Sequence, residues 1–193
     1  MNKLNAKDLI NVGIFSVIYF VMFMIAAMLG YAPILVVALP FIAGLLGGIP
    51  FMLFVAKVGK FGAVTIMGLL SGLLCFLMGQ HWLSIIFGLV FAFIADIIMR
   101  KNEYKKFVTN LIGYVVFTVW TIGSMLPMWV FRDAYFAQSL ERGATSEYIS
   151  AVMDLTSWPM LPVIILIGMV GAALGALLGK VTLKKHFVKA GII

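Results

Sequence analysis

Apolar residues in this chain come in long blocks, separated by short polar or turn-forming segments, with little alternation inside a block. A helix needs about 20 apolar residues to cross the hydrocarbon core of a bilayer. Blocks near that length predict six membrane helices, at Leu9 to Leu29, Ile34 to Ala56, Phe61 to Met78, Leu83 to Met99, Phe107 to Val130 and Pro159 to Gly179. The breaks between them are turn-like. Gly30-Tyr31-Ala32-Pro33 ends the first block, since proline removes a backbone donor and turns its predecessor away from helix. Lys57-Val58-Gly59-Lys60 and Gly79-Gln80-His81-Trp82 are tight connections, and Arg100 to Lys106 is a charged loop. The one long loop, Arg132 to Ser157 (132–157), has room for a short surface helix. The second block contains Pro40, Gly44, Gly47, Gly48 and Pro50, so a kinked or broken helix is expected there. Backbone groups freed at such a break need partners in protein or a wet cavity, not lipid.

Composition supports the membrane reading. Of 193 residues, 64% are hydrophobic and 11% charged, with a mean hydropathy of +1.15. Ordinary globular chains are about 45–50% apolar and about 25% charged. Six helices and their loops nearly exhaust the chain, so residues 1–193 are expected to form a single transmembrane domain. Lys3 and Lys7 before an apolar run resemble a signal peptide, and the small residues between Ala26 and Ala32 resemble a cleavage site. The run is long enough to span, however, and further hydrophobic helices follow, so a retained first helix is expected.

The net charge of +7 would suggest nucleic acid in a soluble protein. Here its distribution predicts topology instead, because cytoplasmic loops retain Lys and Arg. With the N-terminus inside, the inner segments hold Lys3, Lys7, Lys57, Lys60, Arg100, Lys101, Lys105, Lys106, Lys180, Lys184, Lys185 and Lys189, twelve of the fourteen basic residues. Only Arg132 and Arg142 fall outside. Both termini are therefore expected in the cytoplasm, the basic tail from Lys180 to Ile193 included. The positive loops are read as facing anionic lipid, with no role for nucleic acid.

Little in the sequence offers covalent chemistry, and an enzyme is not expected. Cys75 is alone in an apolar run. Asp96 sits near the inner end of the fourth helix with Arg100 four residues on, a favourable same-face pair. No acid or histidine is expected at mid-membrane, where an ion-coupled transporter would carry one. Gly171, Gly175 and Gly179 form a small-residue ladder on the last helix, with Gly168 and Ala172 beside it and Gly68 and Gly72 on the third. Such ladders bring helices together, either within the chain or against another subunit.

Polar and aromatic residues gather at the outer ends: Tyr31, then Gln80, His81 and Trp82, then Trp120, Met125, Met128, Trp129, Arg132 and Asp133, and finally Asp154 and Trp158. An interfacial aromatic belt explains part of this. All four tryptophans fall in the outer half, however, which favours an outward-facing pocket for a flat, partly polar small molecule. His81 could hydrogen-bond a ligand, face water or ligate a haem iron, with Met125 and Met128 as soft partners.

These features together resemble the substrate-binding S components of energy-coupling factor transporters. More closely, the segment Asn5-Ala6-Lys7-Asp8-Leu9-Ile10-Asn11-Val12-Gly13-Ile14-Phe15 resembles the Trep_Strep group. So does Gly48-Ile49-Pro50-Phe51-Met52-Leu53 with Lys57-Val58-Gly59-Lys60-Phe61-Gly62 after it. The resemblance implies a bacterial plasma-membrane protein that captures a vitamin, a cofactor precursor or a metal ion from outside. It also implies docking through helices 1–3 on a membrane coupling subunit driven by two cytosolic ATPases, and toppling to release the ligand inside. In the family an Ala-x-x-x-Ala-like surface on helix 1 makes the docking contact. The nearest residues here are Gly13 with Val17 or Ser16, a departure from that pattern. The resemblance implies no intrinsic cofactor, and it leaves haem open as a transported ligand. The competing expectation is a stand-alone secondary transporter or channel, oligomeric through the ladder on the last helix.

Overall fold

The computed structural model of the chain describes residues 3–184, and among these every regular element is helical. In chain order they are α1 (Ala6–Met28), a 3-10 turn (Leu29–Tyr31), α2 (Pro33–Val58), α3 (Ala63–Leu77), α4 (Leu83–Arg100) and α5 (Phe107–Thr118). A second 3-10 turn (Val119–Thr121) leads into α6 (Ile122–Met125) and α7 (Pro127–Val130), followed by α8 (Arg132–Glu141), α9 (Ser146–Leu155) and α10 (Met160–Thr182). Five segments are long and apolar enough to cross a membrane: Ala6–Tyr31, Pro33–Val58, Leu83–Arg100, Phe107–Met125 and Met160–Thr182. The expected third helix is present as α3 but has only 15 residues, about 22 Å of helix. Lys185 and Lys189 of the predicted basic tail lie outside the described residues.

Close backbone approach joins α2 to α10 and α3 to α4. Gly168, Gly171, Gly175 and Gly179 of α10 are buried against α2. A Cβ added at Gly44 would sit 2.7 Å from the backbone nitrogen of Ala172, and one at Gly171 would sit 2.7 Å from the Cα of Phe41. The ladder is therefore occupied inside the chain and is not a free oligomer face. Gly68 and Gly72 of α3 pack in the same way on α4, against Gly88 and Ser84. In lipid, where apolar side chains gain nothing by leaving one solvent for another, such close approach is what holds helices together.

The α2–α10 contact also bears on the predicted break. α2 runs unbroken through Pro40 and Pro50. It is supported along its length by α10, and the Tyr114 hydroxyl donates to the Gly44 carbonyl at 2.7 Å. Beside this contact lies the main aromatic core: Tyr19, Phe51, Tyr114, Phe117 and Trp120. Trp120 is fully buried there, with its indole N–H donated to the Tyr19 hydroxyl at 3.1 Å.

One end of the bundle carries the basic loops and is tied by a polar network. Asn5 caps α1, its side chain accepting from the Asp8 N–H while the Asp8 carboxylate accepts from Asn5 N–H, a capping box. Lys60 reaches the same carboxylate at 2.6 Å. Asp96, fully buried on α4, caps the neighbouring helix instead of its own. Its Oδ2 accepts from Gly62 N–H (2.8 Å), Thr65 N–H (3.1 Å) and the Thr65 hydroxyl (2.8 Å), at the start of α3. Gly62 has φ +94°, a backbone conformation that glycine adopts without penalty. Tyr104 donates its hydroxyl to Asp96 Oδ1 at 2.5 Å. Burial first, and then the Asp96 carboxylate, push the Tyr104 hydroxyl well above its ordinary pKa, so it stays a neutral donor.

Candidate ligand-binding site

The opposite end of the bundle is built differently. The expected continuous fifth helix is interrupted instead of running to Val130. Thr118, Thr121 and Ser124 each donate a hydroxyl to the carbonyl three residues earlier, at 2.9, 2.9 and 2.8 Å. Such side-chain competition for backbone carbonyls favours the tighter 3-10 winding found at Val119–Thr121. Pro127 then starts α7 at a position where its missing N–H costs nothing. The result turns Met125 and Met128 toward the 3-10 turn that follows α1.

The long loop is two helices, α8 and α9, each of 10 residues. They close this end over a second apolar cluster that includes Met125, Met128, Trp129, Phe136, Val152 and Ile164. Four side chains hold them through hydrogen bonds. Arg132 donates to the carbonyls of Thr156 (2.8 Å), Met153 (2.6 Å) and Met128 (3.3 Å). Trp129 donates its indole N–H to the Ser157 carbonyl at 2.9 Å. Tyr148 donates to the Gly30 carbonyl at 2.6 Å, tying α9 to the α1–α2 turn. Arg142 makes two long contacts, both 3.3 Å, with the Gly79 carbonyl in the α3–α4 turn. Gly79 has φ +86°, and the Gln80 N–H returns to the Cys75 carbonyl, a glycine-terminated helix end.

Beneath and beside α8 and α9 lie two adjoining cavities. The first, of about 300 Å³, is lined by Phe23, Met24, Met28, Met125 and Met128 with the polar groups of Tyr31, Gln80, Ser124, Tyr135 and Tyr148. The second, of about 450 Å³, is lined by His81, Trp82, Phe131, Gln138, Ser139 and Arg142, again with Gln80 and Tyr135. Both volumes fall in the range of small-molecule sites, roughly 300–1,000 Å³. His81 stacks on Phe131 at 5.0 Å between ring centroids, with Trp82 at 5.2 Å on the same imidazole. The Leu83 N–H donates to His81 Nδ1 at 3.3 Å. Burial raises the hydroxyl pKa of Tyr135 and Tyr148, so both act as neutral hydrogen-bonding groups.

The structure thus divides the residues expected in an outward pocket. Tyr31, Gln80, Met125 and Met128 line the first cavity, and Gln80, His81 and Trp82 line the second. His81 and the two methionines sit in different cavities. Trp120 belongs to the core, and Trp129 and Arg132 are tied to backbone carbonyls of the α8–α9 unit. Asp133 and Trp158 are exposed and line neither cavity. Tyr135, Tyr148, Phe131, Gln138 and Arg142 were not anticipated as lining residues. Their signal was the amphipathic pattern inside the long loop, which shows that it folds but not where it docks. Of the expected docking residues, Val17 is 57% exposed and Gly13 has open space where a Cβ would stand, whereas Ser16 points inward and is buried. Among the described residues no three His, Cys, Asp or Glu side chains cluster as a metal site.

A family model described as hypothetical bacterial integral membrane protein (Trep_Strep) matches residues 6–189. The chain belongs to the Trep_Strep family. It is accordingly a bacterial integral membrane protein, in keeping with its membrane-length helices. No curated protein and no solved structure matches it. The Trep_Strep segments noted in the sequence meet in space. Asp8 of the first and Lys60 of the second form the 2.6 Å ion pair, and Gly62 donates to Asp96. Those segments therefore build the basic end of this family member, away from the cavities.

Proposed function

We propose that this Trep_Strep protein is the substrate-capture subunit of an ATP-driven importer of the energy-coupling factor type. It binds a vitamin, a cofactor precursor or a haem-like molecule at the cavity end and passes it inward with a membrane coupling subunit and two cytosolic ATPases. In this reading the chain crosses six times, with α3 as the sixth crossing. α3 runs beside α4 from Gly62 at Asp96 to Gly72 at Ser84, which supports counting it. The basic end is cytoplasmic by the charge rule, and the cavities face out.

The observation that carries the reading is the state of Asp96. It is the one charged side chain among the described residues that lies more than a turn inside a membrane-length helix. Its two oxygens already accept four hydrogen bonds from α3 and Tyr104. A carboxylate so engaged is poorly suited to carry a coupling proton. A carrier with a pocket and no free coupling group among its described membrane residues needs its energy from elsewhere, which in this reading the partner ATPases supply. No covalent chemistry is assigned to the chain. The test is uptake in cells with and without the ATPases, alongside mass spectrometry and an absorption spectrum of the purified protein. A retained small molecule and ATPase-dependent uptake are expected, and a Soret band would select haem. Transport by the chain alone in liposomes would sink the reading in favour of a secondary transporter.

A further inference from the structure

We infer that the two cavities are one bipartite site, and that its ligand is an amphipathic organic anion: a flat aromatic ring bearing a carboxylate or phosphate, with an apolar extension. The inference rests on the capture reading for its biological meaning but is argued from the cavities themselves.

Continuity comes first. Gln80 and Tyr135 line both cavities, so the two spaces meet across one pair of side chains. Both residues offer neutral hydrogen-bonding groups to whatever passes between.

The two chambers differ in chemistry. In the second, His81 stacks on Phe131 and lies tilted against Trp82, a contiguous aromatic wall in which Trp82 is still 48% exposed. A further flat ring extends such a stack at the usual offset distances. Among the described residues, Arg142 is the one permanently charged side chain lining either cavity. A guanidinium has five N–H donors, and two of these make the long contacts with the Gly79 carbonyl. Among the described residues no carboxylate pairs with it. A planar donor fork beside an aromatic wall suits a carboxylate or phosphate attached to a ring. Among the described residues the first chamber has no charged lining side chain, and it presents four methionines, Met24, Met28, Met125 and Met128. Flexible thioethers conform to apolar groups of varied shape, which fits an extension and not a second charged head.

The test uses the full chain in phosphatidylcholine nanodiscs, with empty nanodiscs as reference, and calorimetric titration of naphthyl probes. Expected is tighter binding of 2-naphthoate than of 2-naphthylmethylamine, by about tenfold. Arg142→Gln should weaken 2-naphthoate by about tenfold while leaving 2-naphthylmethanol within about twofold. A butyl group at the 6-position of 2-naphthoate should tighten binding, and Met28→Gln should remove that gain with 2-naphthoate itself unchanged. Arg142 and Met28 are both exposed side chains, so neither change threatens folding. Equal affinity for the anionic and cationic probes, an unaltered anion preference in Arg142→Gln, or no binding at millimolar concentration overturns the inference. A butyl gain that survives Met28→Gln overturns the joining of the chambers. Failure of the capture reading would be seen separately, as uptake indifferent to the ATPases with the probe selectivity intact.

Discussion

Replacing Asp96 separates a structural acid from a functional one. Asp96→Ala removes the acceptor for the N–H groups of Gly62 and Thr65, the Thr65 hydroxyl and the Tyr104 hydroxyl. Loss of an N-terminal cap costs about 1 kcal/mol, and a hydrogen bond to a charged group contributes roughly 1.5–3 kcal/mol. The bonds share one carboxylate and do not add in full, so a total of about 4 kcal/mol is expected. That corresponds to a melting temperature lowered by about 10 °C for a chain of this size. Asp96→Asn keeps one acceptor for the α3 cap and turns an amide toward Tyr104, whose hydroxyl can rotate to accept, so about 1–2 kcal/mol is expected. Melting in detergent and uptake in cells are read together. The capping role predicts graded stability, Ala below Asn below wild type, with uptake by the Asn variant near normal at growth temperature. Undiminished stability in Asp96→Ala would refute the capping argument. Normal stability with abolished uptake in Asp96→Asn would make Asp96 a coupling group after all.

Other predictions test the remaining contacts. Gly175→Ala places a Cβ 2.7 Å from the Leu45 carbonyl oxygen and should lower stability by about 1–3 kcal/mol, whereas Gly13→Ala meets open space and should raise it by up to about 1 kcal/mol; paired melting curves check the contrast. Tyr148→Phe deletes the bond to the Gly30 carbonyl and should speed hydrogen exchange across Ser146–Leu155, with a cost of about 1 kcal/mol. Arg132→Ala frees the carbonyls of Met128, Met153 and Thr156 and should lower the melting temperature more than Arg142→Gln does, a ranking that reverses if Arg132 is a ligand contact and not a structural clamp.

Much of this architecture was legible in the sequence, and the misses have identifiable causes. Block hydropathy located the five membrane-length segments to within a few residues, because lipid imposes one requirement on every crossing. It allowed a break in α2 that is not there, since the proline rule treats a helix alone and α10 lies against this one from Pro40 to Met52. It ran α5 too far, because Thr118, Thr121 and Ser124 look innocuous in a hydropathy average yet retune the backbone. Four of the eleven residues expected in the pocket are tryptophans. Trp120 and Trp129 are anchors with their N–H groups committed to Tyr19 and Ser157, an outcome that depends on tertiary partners. Gln80, His81 and Trp82 remained at a cavity because their turn leaves them little else to face.

The α2–α10 contact has one more property. The two helices run the same way: Gly44 meets Ala172, Gly48 meets Gly175 and Met52 meets Gly179. Displace α10 by four residues, one turn or about 5.4 Å, and Gly44 would face Ala176 or Gly168 while Gly48 would face Gly179 or Gly171. Small residues would still oppose small residues. The ladder therefore sets how near the helices lie and says little about which turn of one sits opposite which turn of the other. That choice falls to bulkier neighbours, such as the Pro40 ring against Gly168 and the Lys180 ammonium 4.4 Å over the Phe107 ring. Register and proximity are encoded by different residues.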